Sequence, residues 1–512
     1  MFTFPSGATV VRKDLRDFRL RPGLALVLCA LLLAHLALGA AMGLSVDEAH
    51  YLLYAAHPAL SYFDHPPLVG WVQWPLVALQ APTALLRLLP GALWLGTVLL
   101  VYRLAQGLPF EGGGAPERAG LWAVAALALA PLLHVLAIGL LPDTLLMFLA
   151  AAVMLQTQRL MQVDALRKTW PWLAMGLFLG LAGLSKYTAI FFALAAALCL
   201  LQTHGLRVLR LPALWAAMAL ALALVSPVIL WNARNGWISF SYQAQHGAGS
   251  AWQAQEVLRF ALVQLLAYGP LLLWGAWARS RAAVLRLFFV LPFAVLAWLS
   301  GGGSSLPHWT APAWVALAPF AGVALAASWG QGAAFGQRRL RRFAIGALVA
   351  VQALASASLL WLMLSAGSPL LLRSFDDTPV GRNPFADLHG WQAAGDQARA
   401  LAAQQGLGSV SVQNWTLASR LGWYARPLPV HVLEDRFDQF DIWAGDLSVG
   451  GDTLLLDWSA MAYTVPLGAH GFRDCQLLAT QAATHWGAPL ASFRFYACRG
   501  WSGRPQPRLR TE

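Results

Sequence analysis

Eleven long apolar runs recur along the first 366 residues, and they restrict the fold more than any other feature of the sequence. Each is about as long as a helix that crosses the roughly 30 Å hydrocarbon core of a bilayer. Backbone polar groups inside a bilayer must be hydrogen-bonded within the chain, so these runs predict α-helices. The chain is therefore predicted to be an α-helical polytopic membrane protein. The runs cover about residues 24–44, 83–106, 119–141, 143–160, 170–184, 186–203, 212–231, 258–278, 283–300, 310–329 and 343–366.

The overall composition agrees with this class. Hydrophobic residues make up 58% of the chain and charged residues 11%, which excludes a water-soluble protein for the first two thirds. The net charge of +12 does not require a nucleic-acid partner, because Lys and Arg concentrate in alternate loops, where they set membrane orientation and meet anionic lipid. No nucleic-acid partner is predicted, and membrane lipid is the expected surrounding.

The basic residues also predict orientation. A cluster at 12–21 precedes the first run, which reads as an uncleaved signal anchor with its N-terminus in the cytoplasm. An odd number of spans then places the C-terminal segment outside. Few basic residues fall on the outer side of the membrane part under this assignment: Arg87, Lys186, Arg234 and Arg259.

The composition changes near residue 367, where charges rise and apolar runs shorten. We therefore predict two domains, a membrane domain over 1–366 and a small α/β domain over 367–512. In the second domain, 390–405 reads as an amphipathic helix. Strands are predicted at 409–412, 429–433, 453–456 and 493–496. Cys475 and Cys498 are the only cysteines in this domain, and the sequence leaves open whether they form a disulfide.

Carboxylates at the outer ends of the spans are the candidate site residues. Charge at a membrane face is costly unless it is hydrated, paired or functional. Asp47 and Glu48 open the first outer loop, in which the following apolar segments predict helices lying in the membrane interface. The alternative for Asp47 is a simple helix cap. The outer-side acids are Asp47, Glu48, Asp64, Asp143 and Glu256.

Asp64-His65-Pro66-Pro67 pairs a carboxylate with an imidazole before two prolines that stiffen the backbone. Rigid presentation of an acid and a His suits a metal or phosphate site, and a plain turn is the alternative. Lys186 is the one Lys on the outer side, where a cation suits a phosphate group. The alternative for Lys186 is a side chain that merely extends from a span end to water.

Taken together, these motifs resemble bacterial GT-C glycosyltransferases of the dolichyl-phosphate-mannose-protein mannosyltransferase superfamily, which includes aminoarabinose transferases acting on lipid A. The resemblance extends over about residues 40–325. It rests on Asp47-Glu48, Tyr62-Phe63-Asp64-His65-Pro66-Pro67-Leu68, Pro142-Asp143, Gly183-Leu184-Ser185-Lys186-Tyr187, Trp231-Asn232, Gly236-Trp237 and Pro307-His308-Trp309, with Gln439-Phe440-Asp441-Ile442-Trp443 in the outer domain.

The resemblance implies a GT-C fold in a bacterial inner membrane, with the second domain in the periplasm. It implies an inverting enzyme that moves a hexosyl or pentosyl group from a polyprenyl (undecaprenyl) phosphate to lipid A, O-antigen, another glycan or a protein. Asp47 matches the expected catalytic acid, and Lys186 matches a Lys on the phosphate side. The aminoarabinose transferases have Lys where this chain has His65, so the acceptor class stays open.

The predicted site follows from the motifs and the resemblance together. Asp47 and Asp143 are expected to be catalytic, and Lys186, His308 and Arg234 to bind the donor phosphate. A substrate or metal site is expected at Glu48, Asp64, His65 and Tyr51, with Asp64 and His65 as the ligands if a divalent metal ion takes part. His246 is a further outer-side imidazole.

Two other classes of protein share parts of this pattern. A transporter or flippase of lipid-linked sugars would use the acids for coupling or proton relay, but the polar groups cluster on one side and no inverted repeat is evident. An O-antigen ligase or polymerase uses related substrates and is harder to separate on sequence. Transfer of a labelled sugar distinguishes the enzymes from a transporter, which moves its substrate unchanged.

Overall fold

The computed structural model describes residues 21–109, 116–248, 251–280, 282–303, 305–330, 335–367, 383–461 and 471–504. Helices account for most of these residues, and strands occur only in the C-terminal part of the described chain. The α-helices are α1 Pro22–Ala41, α2 Val46–Ala56, α3 Leu68–Ala78, α4 Thr83–Leu86, α5 Leu88–Gly107, α6 Pro116–Ala128, α7 Pro131–Ile138, α8 Pro142–Leu160, α9 Val163–Leu166, α10 Thr169–Ser185, α11 Ala189–His204, α12 Pro212–Arg234, α13 Ile238–Ala248, α14 Ala254–Tyr268, α15 Pro270–Leu273, α16 Leu287–Ser300, α17 Ala311–Gly330, α18 Phe335–Leu364, α19 Trp391–Gln405, α20 Trp415–Tyr424 and α21 Gln439–Trp443. Short 3₁₀ helices cover Gly205–Arg210, Trp274–Trp277, Ala283–Arg286, Pro307–Thr310, Ala386–Leu388 and Ser459–Met461.

Helices form at all eleven predicted apolar runs. In the described residues, seven are long and apolar enough to cross a membrane, and the number rises to nine if each of two bent pairs counts as one span. The remaining two runs form α8 and α10. The chain is thus a multi-pass membrane protein, as predicted, and the total of eleven crossings stays a prediction.

Two runs that were predicted as straight spans are bent in the structure. α6 and α7 meet at 77°, and α14 meets the segment Pro270–Trp277 at 103°. In both cases a proline opens the second helix, at Pro131 and at Pro270. Proline has no N–H to continue the preceding helix and its ring clashes with it, so each helix ends there and a new direction begins.

The first loop, residues 42–82, contains the two predicted short helices, α2 and α3. For α2 the prediction of an interfacial position differs from the structure, because residues 48–55 are buried on every face of the helix. One face packs into the membrane domain through Tyr51 and Tyr54. The other packs against the C-terminal part through Ala49, Leu52 and Leu53. Protein rather than lipid covers this helix.

The described residues of the C-terminal domain, 383–461 and 471–504, form a five-stranded mixed sheet with helices. Its strands are β1 Val410–Val412, β2 Val430–Val432, β3 Thr453–Trp458, β4 Phe472–His485 and β5 Ala488–Trp501, in the order β2-β1-β3-β5-β4. β1 runs parallel to β2 and β3, whereas β5 runs antiparallel to β3 and β4. The predicted helix and the four predicted strands are all present, and β4 is additional.

The two halves of the chain share one hydrophobic core. Leu44, Leu52 and Leu86 of the membrane domain are buried with residues of the C-terminal sheet and helices, including Trp391 and Phe493. Backbone and side-chain hydrogen bonds reinforce this contact at its edge. The Gly43 N–H donates to the carbonyl of Leu388 at 2.8 Å, and the Leu44 N–H donates to the Tyr424 hydroxyl at 3.0 Å.

The structure answers the question that the sequence left open about the outer cysteines. Cys475 and Cys498 lie directly opposite each other on β4 and β5, with Cα atoms 4.1 Å apart, and they are joined by a disulfide. Adjacent antiparallel strands bring Cα atoms to about this separation at a pair that is not hydrogen-bonded.

Candidate functional site

Two turns that carry predicted site residues lie against each other. Asp143 stands at the start of α8, and Lys186 immediately follows the end of α10. The Ser185 hydroxyl donates to the carbonyl of Pro142 at 2.8 Å, which fixes one turn on the other. The Lys186 Nζ then lies 2.7 Å from both carboxylate oxygens of Asp143. Both side chains are buried, so the pair is a desolvated, charge-balanced element at the end of two helices.

A third segment reaches the same pair. His308 lies in the 3₁₀ turn before α17, and its Nε2 is 3.9 Å from Asp143 Oδ2. The ring of Trp309 lies 5.6 Å from the Lys186 Nζ, within range of a cation–π interaction. The carbonyl of Pro307 accepts a hydrogen bond from the Tyr268 hydroxyl at 2.9 Å. The structure therefore brings Asp143, Lys186 and His308 together, as the predicted single site requires.

Asp64 forms a second polar group with two residues of α2. Its Oδ1 accepts a short hydrogen bond from the Tyr54 hydroxyl, and its Oδ2 is 3.4 Å from His50 Nε2. Burial acts to raise the pKa of Asp64, but the neighbouring His50, His65 and Tyr54 act to lower it, and its pKa is lowered overall. Asp64 is therefore held as a carboxylate that already accepts a hydrogen bond from Tyr54 and lies beside His50.

His65 and Tyr51 occupy the space between these two groups. Their rings lie 5.6 Å apart, and Tyr51 is close enough to Asp47, Asp64 and Asp143 for all three charges to affect it. Burial first, and then these carboxylates, raise the pKa of Tyr51. Burial lowers the pKa of His65 to about 4, against the opposing charge of Asp64, so His65 is neutral near pH 7. The His65 Nδ1 is buried without a hydrogen-bond partner in the described part of the chain.

Glu48 has a structural role at the start of α2. Ser45 caps the helix, and its N–H and hydroxyl both lie 3.0 Å from Glu48 Oε2 in a capping box. Arg87 grips the same carboxylate at 2.8 and 3.0 Å through two nitrogens. The Arg87 guanidinium also donates to three carbonyls at the end of α1 and just beyond it, those of Gly39, Met42 and Gly43. Glu48, which was predicted to belong to the substrate or metal site, thus anchors the turn that carries Asp47.

Asp47 differs from the other site carboxylates. It is half-buried in the first turn of α2, and within the described ranges no hydrogen bond or ion pair involves its side chain. Its charge raises the pKa of Tyr51, which is four residues further along the helix and on the same face. Its charge also raises the pKa of Arg420, although burial lowers that pKa to about 9 overall. Asp47 thus lies within electrostatic range of both Tyr51 and Arg420 of the C-terminal domain.

The backbone of residues 62–64 is held from two sides. The Tyr62 carbonyl accepts a hydrogen bond from the Ser239 hydroxyl at 3.0 Å, and the Asp64 carbonyl accepts one from Gln243 Nε2 at 2.6 Å. Both donors lie on α13. The Phe63 N–H donates to Gln439 Oε1 of the C-terminal domain at 2.7 Å. The rigidity that the two prolines predicted is therefore supplied largely by these long-range hydrogen bonds.

The sequence interpretation missed several residues that complete this site. His50 and Tyr54 lie three and seven residues after Asp47, on the same face of α2, and this helical spacing is a signal that could have identified them. Ser419 of the C-terminal domain is 3.0 Å from His50 Nδ1. Arg420 is buried, its Cζ lies 4.8 Å from the Trp391 ring centroid and 5.4 Å from that of Trp458, and it pairs with Asp387. Only the tertiary structure reveals the last two.

Arg234 makes no hydrogen bond or ion pair with this cluster in the described structure, and its predicted role stays a prediction. It is exposed at the end of α12. The His246 side chain lies outside the described structure. Among the residues that are described, no group of three or more His, Cys, Asp or Glu side chains is arranged to hold a metal ion. The residues around Asp64 and His65 therefore do not form a complete protein-ligated metal site.

Comparisons with known proteins agree with this architecture. Residues 64–231 match the family model described as dolichyl-phosphate-mannose-protein mannosyltransferase. Lipid A galacturonosyltransferase RgtD of Rhizobium johnstonii is 25% identical over 285 residues, which cover 53% of this chain and 58% of that protein. The aligned region thus spans less than two thirds of this curated relative.

Solved structures show the same fold. ArnT from Cupriavidus metallidurans bound to undecaprenyl phosphate superposes with a TM-score of 0.59 at 17% identity, over 95% of this chain and 100% of that one. Its apo form gives 0.57 at 17% identity, over 93% and 98%. The arabinofuranosyltransferase AftD from Mycobacteria gives 0.51 at 16% identity, over 93% of this chain and 42% of that one. The chain therefore has the GT-C fold of ArnT, with the same arrangement of a membrane domain and a small C-terminal sheet domain.

Proposed function

We propose that this protein transfers a sugar from a polyprenyl phosphate to an acceptor hydroxyl or phosphate at the membrane face that carries the C-terminal domain. The observation that carries the proposal is the state of Asp47. Glu48, Asp64 and Asp143 each have a bonded partner, whereas Asp47 has none in the described structure. A general base must be able to accept a proton, and of these four carboxylates Asp47 is the one with that capacity unused.

The proposed step is a direct displacement at the anomeric carbon. The oxygen of an acceptor hydroxyl, or of a phosphate that still carries a proton, attacks that carbon and loses its proton to the Asp47 carboxylate. The bond between the anomeric carbon and the phosphate oxygen breaks, and its electron pair leaves with the polyprenyl phosphate. Attack opposite the leaving group inverts the anomeric configuration.

Lys186 and His308 are proposed to bind the phosphate. Two of the three ammonium donors of Lys186 point to Asp143, which leaves one for a phosphate oxygen. Asp143 is then a positioning residue that holds the ammonium in place, while His308 approaches the same carboxylate from the α17 side. Stabilisation of the departing phosphate by fixed donors is a large term in reactions of this type.

Polyprenyl phosphate as the donor lipid is supported by the ArnT structure solved with undecaprenyl phosphate, which shares this fold. Lipid A or another membrane-anchored glycan is the acceptor class that we favour, because RgtD is described as acting on lipid A. We further propose a bacterial inner-membrane location with the C-terminal domain on the periplasmic side. A divalent metal ion at Asp64 and His65 remains a prediction, and no step above depends on one.

The proposal is tested by transfer in nanodiscs that contain the purified protein, a radiolabelled polyprenyl-phosphate sugar and lipid A. We expect the label to move covalently to the acceptor and free polyprenyl phosphate to accumulate. Asp47→Asn should abolish both, whereas Asp474→Asn, the same change on an exposed position of β4, should not. Movement of intact donor across proteoliposomes without a new covalent product would instead identify a transporter.

A further inference from the structure

The turn between β4 and β5 has an unusual residue at its tip. Trp486 and Gly487 both have positive φ angles, of 49° and 78°. Two-residue turns of this kind favour Asn-Gly or Asp-Gly, because a side chain with a bulky Cβ substituent is strained at positive φ. Trp486 is nevertheless 61% exposed, so burial of its ring in the protein core does not explain its presence.

The tip lies at the end of a membrane-spanning helix. His485 Nε2 is 2.8 Å from the carbonyl of Leu364, the last residue of α18, so this nitrogen carries the proton and caps the helix. The His485 ring stacks on Trp486 with centroids 4.8 Å apart, and the centroid of the His389 ring lies 4.1 Å from that of His485. The hairpin tip is therefore fixed at the C-terminal end of α18, which forms the candidate span Gln337–Leu364.

The exposed face of α18 continues onto this tip. Val351, Leu354 and Trp361 are 62%, 69% and 55% exposed within the candidate span Gln337–Leu364. The Trp361 and Trp486 rings lie 5.9 Å apart. A lipid-facing stripe thus runs along the helix and ends in two indoles, one from the membrane domain and one from the C-terminal domain.

We propose that the β4–β5 tip is a membrane-contact site, in which Trp486 inserts its ring into the interfacial region of the leaflet beside the end of α18. Indole rings favour this region because they combine an apolar body with a polar N–H. Continuity with the lipid-facing stripe of α18 identifies lipid as the occupant. The contact would fix the height of the C-terminal domain above the bilayer, and it is independent of the proposed transferase activity.

The test uses fluorescence quenching in nanodiscs. Trp486→Cys is made in a chain with Cys29 and Cys199 replaced by Ser and the native disulfide kept, and the new thiol carries bimane. The matched control is Val449→Cys, which is 78% exposed and lies by the opposite end of β5, where the Gly450 N–H donates to the carbonyl of Trp501 at 2.7 Å. A 14-residue strand places the two labels about 45 Å apart.

We expect nitroxides near the lipid headgroup to quench the label at 486 strongly, nitroxides deep in the acyl chains to quench it less, and neither to quench the label at 449. If neither nitroxide quenched the label at 486, or if the labels at 486 and 449 were quenched equally, the proposal would be overturned. Protection of the 486 label from aqueous iodide without lipid quenching would show a protein partner instead, and would also overturn it.

A second variant separates membrane contact from folding. Trp486→Asn provides the residue that the turn prefers, so its Tm in detergent should be unchanged or higher. In nanodiscs, this variant should lose the slowing of amide hydrogen exchange that the bilayer gives residues 483–490 of the wild type. Two results together would assign Trp486 to internal packing and contradict the proposal. The variant would have a lower Tm than the wild type in detergent, and amide hydrogen exchange of residues 483–490 would be the same in detergent and in nanodiscs for both proteins.

Discussion

Lys186 and Asp143 are 43 residues apart in the sequence, yet the Lys186 Nζ contacts both oxygens of the Asp143 carboxylate at 2.7 Å. Neither charge can be removed alone without leaving the other buried. The ion pair therefore helps to hold the two turns together, and it also positions the ammonium that is proposed to bind the phosphate.

We expect Lys186→Met to lower the free energy of unfolding by about 3–5 kcal/mol, because it leaves the Asp143 charge buried without a partner. The double variant Asp143→Asn/Lys186→Met should recover most of that stability but no transfer activity. Thermal unfolding in detergent and the nanodisc transfer assay together check this. Activity in the double variant would remove Lys186 from phosphate binding.

Asp47→Asn is expected to lower the transfer rate by at least about 10²-fold, since the amide cannot accept the acceptor proton. The Tm should change little, because in the described structure no hydrogen bond or ion pair depends on that carboxylate. Donor binding, measured by titration of the polyprenyl-phosphate sugar, should be close to that of the wild type. A rate above about a tenth of the wild-type rate would exclude Asp47 as the base.

Arg87→Met should destabilise the protein by several kcal/mol, because it leaves Glu48 buried and unpaired and releases three carbonyls near the end of α1. Arg87→Lys should recover only part of this loss, since a single ammonium cannot reproduce a planar, two-point grip on a carboxylate. Thermal unfolding of the two variants gives the comparison. Equal stability of Arg87→Lys and the wild type would contradict the anchoring role.

Asp438 is expected to make stability pH-dependent. Burial raises its pKa from 3.8 to about 7, so between these values the folded protein holds a proton that the unfolded chain has lost. This contribution, at most about 4 kcal/mol, is complete below pH 3.8 and disappears as pH rises through 7. Asp438→Asn lacks it, so the Tm of the variant relative to the wild type should rise between pH 5 and pH 8. A constant difference across that range would show that Asp438 is ionised in the folded protein.

The orientation can be checked with exposed single cysteines in the background without Cys29 and Cys199. Leu60→Cys and Val449→Cys should react with a membrane-impermeant thiol reagent on intact spheroplasts, whereas Gln162→Cys and Leu206→Cys should react only after lysis. Ser61, although adjacent to Leu60, is fully buried and unsuitable for this purpose. Labelling of Leu60→Cys and Val449→Cys on opposite sides would separate the site from the C-terminal domain and contradict the proposed single centre.

The parts of the structure that could be predicted are those that depend on short sequence patterns. Apolar runs identified the helices of the membrane domain, and short segments rich in strand-forming residues identified β1, β2, β3 and β5, but the exposed and weakly patterned β4 was missed. The bends at Pro131 and Pro270 were not predicted, although both prolines are evident in the sequence, because the apolar runs continue across them.

The site residues also fall into those that the sequence could predict and those that it could not. Its motifs, with the resemblance that they carry, identified Asp143, Lys186 and His308, which the structure does bring together. The sequence could not show that Glu48 is used by Arg87, or that Ser419 reaches His50, because these pairs are 39 and 369 residues apart. Such partners are determined by packing between helices and domains rather than by spacing along the chain.

The shared core described above has a consequence for how the protein is made. Ser419, Arg420 and Gln439 belong to the last hundred or so residues, yet they contact or face the loop that begins at Asp47. A nascent chain that has already inserted every membrane helix therefore still lacks the C-terminal side chains that contact His50 and Phe63. We therefore expect the proposed transfer activity to begin only after the C-terminal domain has been synthesised and has folded onto the first loop.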